Sequence, residues 1–180
     1  MLVLGFFGLL RKSELWGLRV SDVKVAMFTG TKLVSIFVKR SKNDPAGKGA
    51  AVVLKGTTGS GVNIAFVVRK HLAHLQGQSS DGPLFQKWVK GAWNGPYADS
   101  SFVIRRLQLL HKRLERELPS LGIGRLKITA HSLRVGGASW AEEKGVPLPA
   151  LMTHGRWKSD AVSVYCVRAL TDRLKVSERM

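Results

Sequence analysis

The sequence is short of cysteine, tyrosine and acidic residues, and each shortage excludes something. A single cysteine, Cys166, rules out an internal disulfide framework and any cysteine-based zinc knuckle. It suits a reducing, intracellular compartment. Long apolar runs are missing too. The stretch "LVLGFFGLL" at residues 2–10 is nine residues long, too short to span a bilayer as a helix. It has no basic segment before it and runs straight into "RKSEL", so it does not read as a secretory signal. No internal repeat and no low-complexity segment is visible. The glycine-rich "GTTGSG" at residues 56–61 lacks the Gly-Lys-Ser/Thr of a phosphate-binding loop.

The shortage of acid is the first functional clue. Twelve Asp and Glu stand against 29 Lys and Arg, a formal net charge of +17. A folded domain so basic repels itself unless it meets a polyanion. Nucleic acid is the favoured partner, and ribosome or histone association belongs to the same class. A membrane surface is disfavoured, because no stretch reads as a clean basic amphipathic helix. The chain is not a basic tail. Its 180 residues suit one domain, and a hydrophobic fraction of 44% can build a core.

Periodicity sets out the elements. Residues 2–10 predict a helix buried all round, an odd opening for a chain, which suggests an N-terminally truncated architecture. "KSELWGLRVSDV" predicts a short helix with Gly17 near its end and Asp22 in a turn. In "KLVSIFVKR", Val34, Ile36 and Val38 share one face of a strand, and "AAVVLK" is the strand returning after the turn-forming "SKNDPAGKG". "GTTGSG" reads as a flexible connection. Ile64, Val68, Leu72 and Leu75 mark a helix over 62–76, "GQSSDGPLF" a loop, and residues 88–98 an irregular segment. A long basic helix over 100–118 ends before Pro119. Helices follow at 131–144, after Pro147 and, beyond a turn at "HGRW", through Tyr165. The fold expected is mainly α with a small antiparallel β-sheet near the N-terminus.

The residues that carry chemistry come in weak pieces. His131 and Arg134, in "HSLRVGGASW", lie three apart on one helix face and can reach one phosphate; alone they could be a surface pair. Arg11 ends the apolar helix, with Glu14 three residues on, placed to hold its guanidinium. Lys42 lies in the hairpin loop beside Lys39 and Arg40, and alone reads as a solvated lysine. Tyr165 is one of two tyrosines and follows Trp157 by eight residues; composition alone would allow it in the core. His71 and His74 form a possible metal pair, but no cysteine or carboxylate lies near them in sequence, so no metal site is assigned.

Order and spacing join the pieces. Arg11 and Glu14, Lys42, His131 and Arg134, Trp157 and Tyr165 resemble the catalytic domain of the tyrosine recombinases, the phage-integrase and Cre-like family. The family runs Arg-x-x-Glu, hairpin Lys, His-x-x-Arg, His or Trp, then Tyr. The 26 residues from His131 to Trp157 match its spacing, and "GRWKSDA" is similar to Crypton-like and DIRS-like mobile-element members. The resemblance covers residues 1 to about 170. There are departures. Many members read Thr-Gly-Leu-Arg where this chain reads "GLLR", and nine residues is the commoner step from Trp to Tyr. His154 precedes Trp157 by three, and the spacing makes it a turn residue instead of the family's His.

The resemblance implies a DNA breaking-rejoining fold spanning 1–180, without the N-terminal clamp domain. It implies a site-specific recombinase or integrase acting through a 3′-phosphotyrosyl intermediate. Arg11 and Arg134 would bind the scissile phosphate and Trp157 would donate its indole N–H. Tyr165 would be the nucleophile, Lys42 would protonate the leaving 5′ oxygen, and His131 would assist proton transfer or hold the phosphate. Glu14 would orient Arg11 or His131. No cofactor or metal is implied, since the cations are side chains. The partner would be double-stranded DNA, bound by a homotetramer located wherever the DNA is, in a nucleus or a nucleoid. "RALTDRLKVSERM" is the segment expected to dock on a neighbour. Lys39, Arg40, Arg105, Arg106, Lys112 and Arg113 form the expected DNA-binding surface, joined by Arg116 on the same basic helix. Two other readings keep the basic surface: an inactive DNA-binding relic of a mobile element, and a type IB topoisomerase-like enzyme.

Overall fold

The computed structural model describes residues 1–42, 44–90, 92–96, 101–122, 127–129 and 131–159. The helix expected through Tyr165, Tyr165 itself and "RALTDRLKVSERM" lie outside the described residues.

The first half packs a short helical corner and one helix on an antiparallel sheet. Helix α1 is Leu2–Phe7 and α2 is Lys12–Trp16. Strands β1 (Val23–Phe28), β2 (Thr31–Val38) and β3 (Ala50–Lys55) lie in the order β1-β2-β3. The alternation read from sequence holds: Val34 and Ile36 are fully buried, and they pair with Leu54 and Val52 of β3. β1 was not expected as a strand. It reaches β2 through a two-residue turn at Thr29 and Gly30, both with positive φ, the geometry that suits a tight hairpin. Its outer end leaves Met27 and Phe28 exposed, so the apolar alternation that would have announced it is absent.

Helix α3 (Ile64–His74) begins at Asn63, whose side chain accepts the Phe66 N–H at 2.9 Å. Ile64, Ala65, Val68 and Leu75 of this segment join the sheet's buried face. The "GTTGSG" connection before it is a hydrogen-bonded turn and not a free tether: the amide of Thr58 bonds to Val62 O and that of Gly61 to Thr58 O, each at 3.0 Å. The loop after α3 returns to the core through Leu84, whose amide bonds to the Leu18 carbonyl at 2.8 Å. His71 is tied to that loop by its Nε2 on the Leu84 carbonyl, a structural role that the metal-pair reading did not foresee.

The segment expected to be irregular forms a second hairpin, β4 (Gln86–Val89) and β5 (Ala92–Pro96), pairing Trp88 with Trp93. Helix α4 is Ser101–Glu117, as expected. Among its described side chains, Ile104, Leu107, His111 and Leu114 are half-buried, spaced three and four apart, while Arg105, Lys112 and Arg113 are exposed. So α4 is amphipathic as well as basic, which the sequence reading had not granted. Helices α5 (Ser132–Glu143) and α6 (Leu148–Gly155) complete the described chain.

Among the described residues, two apolar clusters result. The larger joins α1, α2, the three-stranded sheet and α3; the smaller joins Leu9, Ala138, Leu151 and Trp157. The chain passes between them at one step, Leu9 facing the smaller and Leu10 the larger. Leu9 makes that turn with φ of 46°, a left-handed conformation uncommon for a residue with a Cβ. This ends α1 at Phe7 and corrects the helix expected over 2–10. Nor is α1 buried all round, since Leu2 is 40% exposed and Phe6 and Phe7 are half-buried.

Candidate active site

Among the described residues, Arg11, Glu14, His131, Arg134 and Trp157 of the candidate set meet at the seam between the clusters. Arg11 is the N-cap of α2, in extended conformation. Its own N–H is an orphan donor of the helix start, and Glu14 one turn on accepts it at 2.8 Å. The other Glu14 oxygen accepts Arg11 Nη1, also at 2.8 Å. The pair expected from the sequence therefore forms. Arg11 Nη1 also donates to Ser41 Oγ at 2.7 Å. That contact brings the β2–β3 loop, with exposed Lys42 one residue on, against the start of α2. Neither Nε nor Nη2 of Arg11 has a protein partner among the described residues.

The other wall is α5 and the end of α6. His131 is the N-cap of α5 and Arg134 lies within its first turn. Arg134 is 1% exposed, deeper than expected for a residue read as a phosphate ligand. Its Nη1 donates to the Leu9 carbonyl and its Nη2 to the Gly155 carbonyl at 2.6 Å. Its guanidinium lies over the Trp157 ring, 4.1 Å from the centroid. Trp157 is itself buried, and a Cβ on Gly155 would collide with its ring, so the glycine is required there.

Two residues that brace the site were not singled out from the sequence. One is Ser41, which holds the β2–β3 loop on Arg11 within one wall. The other is Arg156, which adopts the left-handed conformation after α6 and reaches across the seam. Its Nη2 donates to the Glu14 carboxylate at 2.8 Å and to the Leu9 carbonyl at 3.2 Å. His154 was expected in a turn; it sits in the last turn of α6, its ring bonded to the Phe7 carbonyl at 2.8 Å. Thus carbonyls at the end of α1 and just after it, those of Phe7 and Leu9, are taken by side chains of α5 and the α6 end. These carbonyls are the natural ligands for cations.

The electrostatics follow. Burial pushes the Glu14 carboxyl up, but the Arg156 charge and the hydrogen bonds from Arg11 and Ser41 outweigh it and hold the group below its ordinary value. His131 is held below its ordinary value by burial and by the charges of Arg134 and Arg11. These influences favour its neutral form over the cation. On the flanks, Lys39 is paired with buried Asp22 at 2.9 Å and Arg113 with Glu117 at 2.8 Å. Arg40, Lys42, Arg105 and Lys112 are exposed at the surface as well. The side chain of Arg106 is outside the described residues.

The fold that carries these residues is the catalytic-domain fold of the tyrosine recombinases. Among solved structures, the chain is similar to the XerA recombinase, with a TM-score of 0.65 and 20% identity over 98% of this chain and 54% of that one. It is similar also to the XerH site-specific recombinase bound to a palindromic difH substrate in a post-cleavage complex, with a TM-score of 0.61 and 21% identity over 98% of this chain and 43% of that one. The Tn1549 transposon integrase in complex with transposon right end DNA gives a TM-score of 0.51 and 16% identity, over 99% of this chain and 57% of that one. The chain spans about half the length of the recombinases it matches. No family model and no curated protein matches the sequence.

Proposed function

We propose that the chain is the catalytic part of a site-specific DNA recombinase or integrase. Its reaction is transfer of a DNA phosphodiester to Tyr165. The tyrosine oxygen attacks phosphorus, a 3′-phosphotyrosyl bond forms, and the 5′ oxygen leaves with a proton supplied by Lys42. Rejoining reverses these steps. The free donors of Arg11 and the neighbouring charge of Arg134 stabilise the negative charge that builds on the phosphate oxygens. Neutral His131 takes or relays a proton. Lys39, Arg40, Arg105, Arg106, Lys112 and Arg113 contact the DNA backbone, and the working assembly is a tetramer on duplex DNA. The observation that carries this reading is the meeting of Arg11, Glu14, His131 and Arg134 at one seam, although they come from opposite ends of the sequence.

Covalent trapping tests it. The protein is mixed with labelled, nicked duplex of randomised sequence, denatured in detergent, and examined for a protein–DNA adduct beside Tyr165→Phe. The expected result is an adduct from the wild type alone. The burial of Arg134 favours a second reading, a DNA-binding relic that does not cleave. Salt-sensitive DNA binding without adduct from any substrate supports that one.

A further inference from the structure

Glu14 is one carboxylate between two guanidiniums, and its side chain is completely buried. Oε1 takes Arg11 Nη1, while Oε2 takes the Arg11 N–H and Arg156 Nη2, all three at 2.8 Å. An arginine and a carboxylate left to themselves pair through two parallel bonds, which uses both oxygens and much of the guanidinium's charge. Here the second oxygen is already engaged. Arg11 is therefore held by one terminal nitrogen only, and its Nε and Nη2 remain without protein partners among the described residues.

Arg156 cannot serve as a phosphate ligand in this arrangement. Its Nη1 donates to the His154 carbonyl at 3.0 Å and to the Gly8 carbonyl at 3.5 Å, and its Nη2 to Leu9 and Glu14, so the terminal donors are committed. Its side chain is only 12% exposed. The backbone at this residue has φ of 58° and ψ of 40°, which glycine adopts more easily than arginine. The side chain is thus present against a local backbone cost.

We propose that Arg156 is a positioning residue that acts through Glu14, sharing one carboxylate oxygen with the Arg11 N–H and completing its engagement, so that Arg11 stays half-unpaired and cationic toward the scissile phosphate. The proposal rests on the DNA-cleavage reading and adds to it a residue that does not touch the substrate. Two consequences separate it from a purely structural role. Loss of Arg156 slows the covalent step more than it weakens DNA binding. Its effect also vanishes when Glu14 can no longer compete for Arg11.

The experiment measures DNA affinity and the rate of adduct formation at saturating protein, on nicked duplex, well below each variant's melting temperature. Arg156→Gly suits the left-handed backbone, and Arg156→Lys keeps one charged donor. Arg156→Gly is expected to slow adduct formation by about tenfold to a hundredfold and to leave affinity within about threefold. Arg156→Lys is expected to fall between it and the wild type, and it carries the test alone if Arg156→Gly does not fold. In a Glu14→Gln background, the further change on adding Arg156→Gly or Arg156→Lys is expected to stay within about threefold. Equal loss of rate and affinity, or independent effects of the two sites, overturns the proposal. If the wild type binds DNA but forms no adduct, the cleavage reading fails, and the geometry is then read from the His131 NMR titration. His131 feels the Arg11 and Arg134 charges, so fuller pairing of Arg11 with Glu14 raises its midpoint. A rise in Arg156→Gly that is absent in the Glu14→Gln background supports the proposal, and an unchanged midpoint overturns it.

Discussion

Glu14 shows how much of the seam depends on single side chains. Its carboxylate is the only acid facing Arg11 and Arg156 among the described ion pairs, and removing the charge leaves two guanidiniums against each other. Breaking a buried pair in this way costs on the order of 3–5 kcal/mol. The sign of its pH dependence follows from the direction of its shift. The folded-state value lies below the ordinary one, so the contribution is fully present above the unfolded value, about pH 4.3. It is lost as the pH falls through the folded value. Glu14→Gln is therefore expected to be least stable relative to the wild type near neutral pH, with the gap closing in acid. Urea unfolding of both proteins across a pH series measures this, and a gap that stays constant with pH would refute it. The pairing with Arg11 was legible because the two residues are three apart at a helix start. Arg156 was not, because its partner lies 142 residues away in sequence and it is one of 29 cationic residues. Only its backbone conformation and its burial mark it, and neither is written in local pattern.

At the scale of elements, the seam exists because α1 and α5 come unusually close. A Cβ on Gly137 of α5 would collide with the Phe6 carbonyl of α1 and with the Leu9 side chain. Backbone cannot yield as a flexible side chain can, so Gly137→Ala must push the helices apart. The expected loss of stability is about 1–3 kcal/mol, and the melting temperature should fall by several degrees. Adduct formation should drop as well, since Arg11 follows α1 while His131 and Arg134 move with α5. A wild-type melting curve for Gly137→Ala would show that α1 and α5 leave room for a Cβ at this position. The elements themselves were legible to different degrees. β2, β3 and α3 announce themselves because each buries one periodic face, and α4 is marked by the Pro119 that follows its end. β1 does not, since Val23 is its only fully buried residue and its outer end faces solvent. The β4–β5 hairpin was hidden by tryptophan, glycine and proline in a segment whose pairing depends on its partner strand. α1 was read too long, because an apolar run does not reveal that Leu9 turns into a different core from Leu10.

Over the whole molecule, the net charge of +17 and the exposed Arg40, Lys42, Arg105 and Lys112 make electrostatics the first determinant of the proposed DNA partnership. A protein that neutralises several phosphates releases as many counterions, so affinity falls as a power of salt concentration. Six to ten such contacts lose about 10³–10⁵ in affinity between about 50 and 200 mM salt. Anisotropy titrations on a short duplex at several salt concentrations should give a steep straight line in log–log form. The cations should then differ in a way that the charge count alone does not forecast. Arg40 has no carboxylate partner among the described ion pairs, so Arg40→Gln should reduce the slope by about one. Arg113 is matched by Glu117 and Lys39 by Asp22, so each must leave a carboxylate to meet a phosphate, and neutralising either should change the slope less. A shallow line for the wild type would mean that the excess charge does not face a polyanion. Equal effects at Arg40, Lys39 and Arg113 would mean that the ion pairs open freely when DNA arrives, and that net charge, not its placement, sets the affinity.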